Sequence, residues 1–373
     1  ALSWCDDRGE ERAFTFGQMK ALSDRTANLF SSLGVRKGDR VLLILRRRYE
    51  YWICAVALHK LGAVLIPGSL QLTAKDIAYR LEAASIKALI CVDDDFVVAQ
   101  AEAALLQCPR VEHKIVVAGA RPGWISFDAA MDAQPARFEK PSGADATVNS
   151  DVMLMYFTSG TTGMPKMVMH DFTYPLGHIV TAKYWQRVQE NKLHMSVSDS
   201  GWAKFGWGKI YGQWVCGAAI FAYDMDRFVP VKLLEKLEKY RVATFCAPPT
   251  MFRFMLQEDI SKYDLSAIVH AGIAGEPLNA EVYNRFRAVT GISLTEGFGQ
   301  SESSVLIANF EWFEPRPGSM GKPSPLYDIE LVDADGNPCA EGEEGEIIVR
   351  GVDRYMPAGL CTGYYNDPEV NER

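Results

Sequence analysis

Val41-Leu42-Leu43-Ile44-Leu45, the helical pattern Tyr49 to Leu61, and Ala63-Val64-Leu65-Ile66-Pro67 follow one another almost without interruption. Apolar runs of about five residues with no polar alternation suit strands buried on both faces, and a helix between two of them makes a crossover between parallel neighbours. The same alternation continues outward. Thr73, three residues before Asp76, announces a capped helix, and the run Ala88 to Val92 follows it as another buried strand.

Further along, the periodicity weakens between Gly119 and Asp151. Gln134 to Ser150 gathers Pro135, Pro141, Gly143 and small polar residues, the composition of a connection between lobes. Strand and helix patterns resume at Val152 to Phe157, Ala218 to Tyr223, Val231 to Tyr240, Ala243 to Ala247 and Ala267 to Ala271. After Pro323, the runs Asp328 to Val332 and Gly345 to Arg350 flank the turn Asp333-Ala334-Asp335-Gly336-Asn337, as in an antiparallel hairpin. The expected fold class is α/β, with parallel or mixed sheets in two packed lobes over residues 1–150 and 151–323. The start of a small β-barrel-like module is expected over 324–373.

Composition is consistent with this division. At 373 residues the chain exceeds the size, about 250–300, at which one core stops growing. The net charge of −8 is dispersed, and the densest basic run, Arg46-Arg47-Arg48, lies beside an apolar stretch rather than among exposed aromatics, which argues against a nucleic-acid partner. Eight cysteines without a Cys-x-x-Cys pair read as free thiols of a reducing compartment. His59 and Lys60 interrupt the most apolar segment, Tyr51 to Pro67, before it reaches bilayer length, and no signal pattern opens the chain. No membrane insertion and a cytoplasmic or organelle-matrix location are therefore expected. Because it begins at Ala1 without methionine and stops at Arg373 in mid-pattern, the chain is expected to be a fragment.

The chemistry concentrates in Tyr156-Phe157-Thr158-Ser159-Gly160-Thr161-Thr162-Gly163-Met164-Pro165-Lys166, an apolar strand that opens into hydroxyls and glycines and ends on lysine. Gly160 and Gly163 let backbone N–H groups approach phosphate oxygens, while Thr158, Ser159, Thr161 and Thr162 add donors. Lys166 supplies positive charge, so the loop suits a polyphosphate. It is not a Walker loop, because the lysine neither follows a glycine nor precedes Ser or Thr. Downstream, Glu296-Gly297-Phe298-Gly299-Gln300-Ser301-Glu302 offers an aromatic between glycines to face a purine, a hydroxyl for a phosphate, and a carboxylate for Mg2+.

At these residues the chain resembles the acyl-adenylating superfamily of acyl-CoA synthetases, luciferases and peptide-synthetase adenylation domains. Thr158 through Lys166 is similar to its signature loop, and Ala274-Gly275-Glu276-Pro277 to the segment that packs against adenine. Glu296 through Glu302 is similar to its second nucleotide motif. The resemblance implies ATP, Mg2+ and coenzyme A, a small carboxylic acid as substrate, and an acyl-AMP intermediate. It assigns Lys166, Ser301 and Glu302 to catalysis, with Glu302 also the metal ligand. Thr158, Ser159, Gly160, Thr161, Thr162, Gly163, Gly275, Glu276, Pro277, Glu296, Gly297, Phe298, Gly299 and Gln300 are assigned to the nucleotide. No side-chain nucleophile is needed, and His170 is expected to be a hydrogen-bonded structural residue.

Ser198 through Lys209 resembles the family motif bordering the acyl pocket, with Trp202, Lys204 and Trp207 as pocket residues. Among relatives, Trp202 to Trp214 is most similar to the medium-chain acyl-CoA synthetases. Acetate-specific relatives carry tryptophan where this chain has Gly299, so a glycine is expected to leave room for a medium, branched or aryl acid. Lys204 is unusual for such a pocket and is expected to pair with a substrate carboxyl or to point to solvent. The family continues with a Thr-Gly-Asp segment and a lysine-bearing C-terminal domain, whereas here Thr362-Gly363 is followed by Tyr364. The fragment is thus expected to bind its substrates but turn over poorly. An aryl-acid ligase, a carrier-protein-dependent adenylation enzyme and a non-catalytic nucleotide- or acyl-binding module remain as other readings, and a homodimer as an option for assembly.

Overall fold

The computed structural model describes residues 1–158 and 163–372. Two large sheets organise them. The first runs, in spatial order, Gly363–Tyr364, Lys166–Asp171, Val152–Thr158, Val64–Pro67, Arg40–Ile44, Ala88–Val92, His113–Val117 and Ile125–Ser126. It is parallel from Val152–Thr158 to Ile125–Ser126 and antiparallel at the other edge. The second runs Lys322–Pro323, Ile307–Ala308, Leu294–Phe298, His270–Ile273, Thr244–Ala247, Leu193–Ser196, Ala219–Asp224, Leu2–Asp6 and Glu11–Phe14. Its interior strands are parallel.

Apolar runs without alternation appear here for the reason the sequence suggests: each strand serves two cores. Val41, Leu43 and Leu45 face a core shared with Ile220 and Ala222 of the second sheet. Leu42 and Ile44 face the opposite side, where Ile77, Leu81, Val97 and Val98 of the helices Ala74–Ala83 and Asp95–Leu105 cover them. The helices Phe16–Ser32 and Glu50–Leu61 contribute to the shared core, so a helical layer lies between the sheets. The second sheet's outer face carries Phe221 and Tyr223 against the helices Pro230–Lys239, Pro249–Met255 and Ala280–Thr290. Thr73 and Asp76 form the expected capping box.

The division at residue 150 needs correction. Val152–Thr158 and Lys166–Asp171 complete the first sheet, whereas the N-terminal strands Leu2–Asp6 and Glu11–Phe14 form an edge of the second. Gly363–Tyr364 also joins the first sheet, outside the small β module expected over 324–373. That module is a two-stranded antiparallel sheet, Ile329–Val332 against Glu346–Val349, and no closed barrel occurs among the described residues. The strand expected over Ala267–Ala271 runs from His270 to Ile273. Strand pairing across distant segments leaves no local signal, so the loop-like composition before residue 150 marks a connection within the first sheet and not a boundary.

The basic run finds its use where the sheets meet. Arg46 pairs with Asp224 at 3.0 Å and with Asp226 at 2.7 Å, Arg47 donates to the Met225 carbonyl, and Arg48 forms a two-pronged pair with buried Glu50. All eight cysteines are free thiols, and no described helix is long and apolar enough to cross a membrane.

Candidate active site

Three loops leave the carboxyl ends of parallel strands in the second sheet: 197–202 after Leu193–Ser196, 274–277 after His270–Ile273 and 299–302 after Leu294–Phe298. Such ends are where open α/β sheets receive ligands, because the loops converge there above the strand termini. Between them lies a cavity of about 680 Å3. Its walls bring together Trp202, Lys204, Trp207, Gly275, Glu276, Pro277 and every residue from Glu296 to Ser301. Asp199, Pro248 and Met320 join them, and Met320 carried no motif by which it was foreseeable.

Local contacts explain why the loops hold their positions. Glu296 is buried, its carboxyl pushed up by burial, and it accepts a bond from the Leu278 N–H at 3.3 Å, which ties the chain just past the second loop to the strand that leads into the third. The side chain of Asn309 accepts from the Glu296 N–H at 2.8 Å. Thr250 donates its hydroxyl to Glu276. Beneath the third loop, His170 is fully buried and its Nε2 lies 2.7 Å from the Ser301 carbonyl; burial lowers its pKa to about 4, so the neutral ring donates there. It is a structural histidine, as expected.

Lys204 lines the cavity and is also held by the protein. Its ammonium donates to the Ala274 carbonyl at 2.6 Å, and burial pushes its pKa down. The contact joins the helix Ala203–Lys209 to the loop that begins at Ala274. At Gly299 the space nearest the backbone is taken. A Cβ there would stand 2.1 Å from Cη2 of Trp207, so the indole, only 5 % exposed, fills the space that a larger residue 299 would take. Trp202 is 60 % exposed at the cavity mouth, while Phe205 is fully buried against Tyr51 and Trp52 and belongs to the core.

The phosphate-type loop is anchored at both ends by strand pairing, with Thr158 opposite Lys166. Ser159, Gly160, Thr161 and Thr162 lie outside the described residues. Gly163 follows them with φ at 150° and open space where a Cβ would stand. Lys166 Nζ sits 5.3 Å from the ring centre of Tyr364, and the Tyr364 hydroxyl donates to Glu302 at 3.0 Å. Sequence reasoning missed Tyr364, noticing it only as the residue that replaced an expected pattern.

A family model described as AMP-binding enzyme matches residues 1–365. Acyl-coenzyme A synthetase ACSM3, mitochondrial, from Homo sapiens is 36% identical over 371 residues, covering 99% of this chain and 62% of that protein. The chain thus spans about 62% of the length of this curated relative. In fold, it is similar to the anthranilate CoA ligase AuaEII in complex with anthranoyl-AMP, with TM-score 0.90 at 24% identity over 99% of this chain and 69% of that one. A benzoate CoA ligase from Burkholderia xenovorans LB400 gives TM-score 0.85 at 23% identity over 99% and 71%.

Proposed function

The chain belongs to the AMP-binding enzyme family, and from that premise we propose that its protein activates a carboxylic acid with ATP and passes the acyl group to coenzyme A. A carboxylate oxygen attacks the α-phosphorus, the bond to pyrophosphate breaks, and an acyl-AMP remains. The thiolate of coenzyme A then attacks the acyl carbon, the bond to the AMP oxygen breaks, and thioester and AMP leave. One observation carries this reading: two of the nucleotide-type segments, Gly275 to Pro277 and Glu296 to Ser301, and the acyl-type segment converge on a single cavity at the carboxyl ends of one sheet, while Glu302, next to Ser301, is joined through Tyr364 to Lys166 of the phosphate-type loop.

In this proposal Thr158, Ser159, Gly160, Thr161, Thr162 and Gly163 receive the phosphates, Lys166 neutralises charge as the α-phosphorus is attacked, and the Ser301 hydroxyl donates a hydrogen bond to a phosphate oxygen. Gly275, Glu276 and Pro277 with Glu296 through Gln300 enclose the base, and Trp202, Lys204, Trp207 and Gly299 border the acyl group. Mg2+ in nucleotide sites usually takes one or two carboxylates with phosphate oxygens and water rather than a protein cage. The chain fits that donor set: Glu302 offers a partly buried carboxylate beside the cavity, and no cluster of three or more metal-ligating side chains occurs among the described residues. Glu302 would hold the ion, which supplies charge neutralisation at the phosphates.

A medium, branched or aryl acid suits the cavity of about 680 Å3, and the similar proteins include an acyl-coenzyme A synthetase, an anthranilate CoA ligase and a benzoate CoA ligase. A reducing compartment, cytosol or organelle matrix, fits the free thiols, and ACSM3 is itself named mitochondrial. The test is acid-dependent exchange of labelled pyrophosphate into ATP by the full-length protein across acids from acetate to octanoate and benzoate, with calorimetry of AMP binding to the 373-residue chain. Exchange with one acid class is expected, as is AMP binding by the chain. Absence of exchange with every acid would refute the assignment.

A further inference from the structure

Residues 357–365 run as a strap from the helix Tyr174–Val180, over the loop Gln300–Ser304, to the strand that begins at Lys166. A Cβ on Gly177 would stand 2.6 Å from both the Ala358 carbonyl oxygen and Gly359 Cα, so the strap lies on that helix backbone to backbone. Ser304 N–H then donates to the Gly359 carbonyl at 2.8 Å, and Cys361 N–H to the Glu302 carbonyl at 2.6 Å. Thr362 and Tyr365 N–H groups donate to the Met169 and Met167 carbonyls at 2.9 and 2.8 Å. Asn371 clamps the backbone of Tyr364 from the other side, accepting from its N–H at 2.7 Å and donating to its carbonyl at 2.9 Å.

The backbone of Tyr364 is therefore held, and its side chain reaches two charged groups at once. The hydroxyl donates to Oε1 of Glu302 at 3.0 Å, while Lys166 Nζ lies 5.3 Å from the ring centre.

We infer that Tyr364 is a positioning residue that sets the carboxylate of Glu302 and the ammonium of Lys166 in register with each other across the phosphate site. This rests on the proposed function, in which those two groups meet the ATP phosphates and their metal. Glu302 and Lys166 sit at the ends of flexible side chains on different elements, and neither has another side-chain hydrogen bond or ion pair among the described residues. A charged hydrogen bond fixes the first, and the face of the ring attracts the second. Outer residues that orient a metal-binding carboxylate are generally worth about 10- to 100-fold in metal affinity.

The experiment uses the full-length protein with Mn2+ as a paramagnetic substitute for Mg2+, read by EPR in the presence of a non-hydrolysable ATP analogue, without turnover. Tyr364→Phe keeps the ring and removes the hydroxyl, Tyr364→Leu removes both, and Glu302→Gln alone and with Tyr364→Phe completes a cycle. Tyr364→Phe is expected to weaken Mn2+ affinity about 10-fold, to leave metal-free AMP affinity and the unfolding midpoint unchanged, and to add little in the Glu302→Gln background. Tyr364→Leu is expected to weaken metal-free affinity for the ATP analogue as well, through Lys166. Wild-type Mn2+ affinity in Tyr364→Phe, or full additivity in the cycle, overturns the inference while the proposed function stands, provided Glu302→Gln itself weakens Mn2+. Wild-type Mn2+ affinity in Glu302→Gln overturns the metal assignment and the inference with it.

Discussion

Replacing Gly299 by alanine tests how the acyl pocket is shaped. The added Cβ would stand 2.1 Å from Cη2 and 2.7 Å from Cζ2 of Trp207, and 2.8 Å from the Ser304 carbonyl oxygen. Gly299 does not adopt a left-handed φ, so the cost is steric alone. The indole is 5 % exposed and packs near His178, at 5.9 Å between ring centres, which leaves the cavity as its way out. To regain ordinary contact it must retreat by roughly 1.3 Å, and forcing atoms into a packed site of this kind costs about 1–3 kcal/mol. Urea unfolding of the 373-residue chain should show that loss. In the full-length protein, pyrophosphate exchange across an acid series should shift towards shorter acids as the ring enters the cavity. Trp207→Leu in the Gly299→Ala background removes the flat ring, so the two costs should add to less than their sum. An unchanged urea midpoint with an unchanged acid ranking, or strict additivity, would show that Trp207 does not fill the space beside residue 299.

Three further outcomes are expected. Arg46→Met removes the first partner of Asp224, whose side chain is 6 % exposed, and a broken buried pair costs about 3–5 kcal/mol. The carboxyl of Asp224 is already pushed up by burial, so its ionised form is the penalised one; the deficit relative to wild type should shrink as pH falls, and urea midpoints for both proteins at several pH values check this. Burial holds His59 and His170 at about 4 and His178, His194 and His270 at about 3, below the ordinary 6.5. Their folded values are depressed, so the unfolded chain takes up more protons below about pH 6.5, and stability should fall by about 1.4 kcal/mol per pH unit per histidine down to about pH 4. A flat urea midpoint across that window would contradict the burial of these rings. Gly201→Ala sets a Cβ 2.4 Å from the Ser69 nitrogen and 2.8 Å from both Gly68 carbonyl carbon and Ser69 Cα. All three are backbone atoms with no rotamer to yield, so this variant should lose more stability than Gly299→Ala in the same titration.

Much of the molecule was legible because its signals are local. The run Val41 to Leu45 reads as a doubly buried strand from its lack of alternation, and Thr73 with Asp76 reads as a helix start from side-chain chemistry within one turn. The residues Glu296 to Ser301 identify themselves by type, and they do line the cavity. Contacts with distant partners are not legible in this way: Trp207 takes the space at the backbone of Gly299, and the Ala274 carbonyl accepts from the Lys204 ammonium. Tyr364 was noticed only for what it replaced, because nothing nearby in sequence reveals its bond to Glu302.

From sequence alone come the alternation of strand and helix and the chemical types available to the site. Backbone periodicity, helix capping and the affinity of glycines and hydroxyls for phosphate all act within a few residues. The tertiary structure alone decides that the N-terminal strands belong to the second sheet and that Val152–Thr158 stays with the first. It likewise decides that an indole occupies the space beside Gly299, and that a tyrosine near the end of the described chain faces both Glu302 and Lys166. These are outcomes of packing among remote segments, where steric fit and burial set the neighbours and no sequence neighbour records the choice.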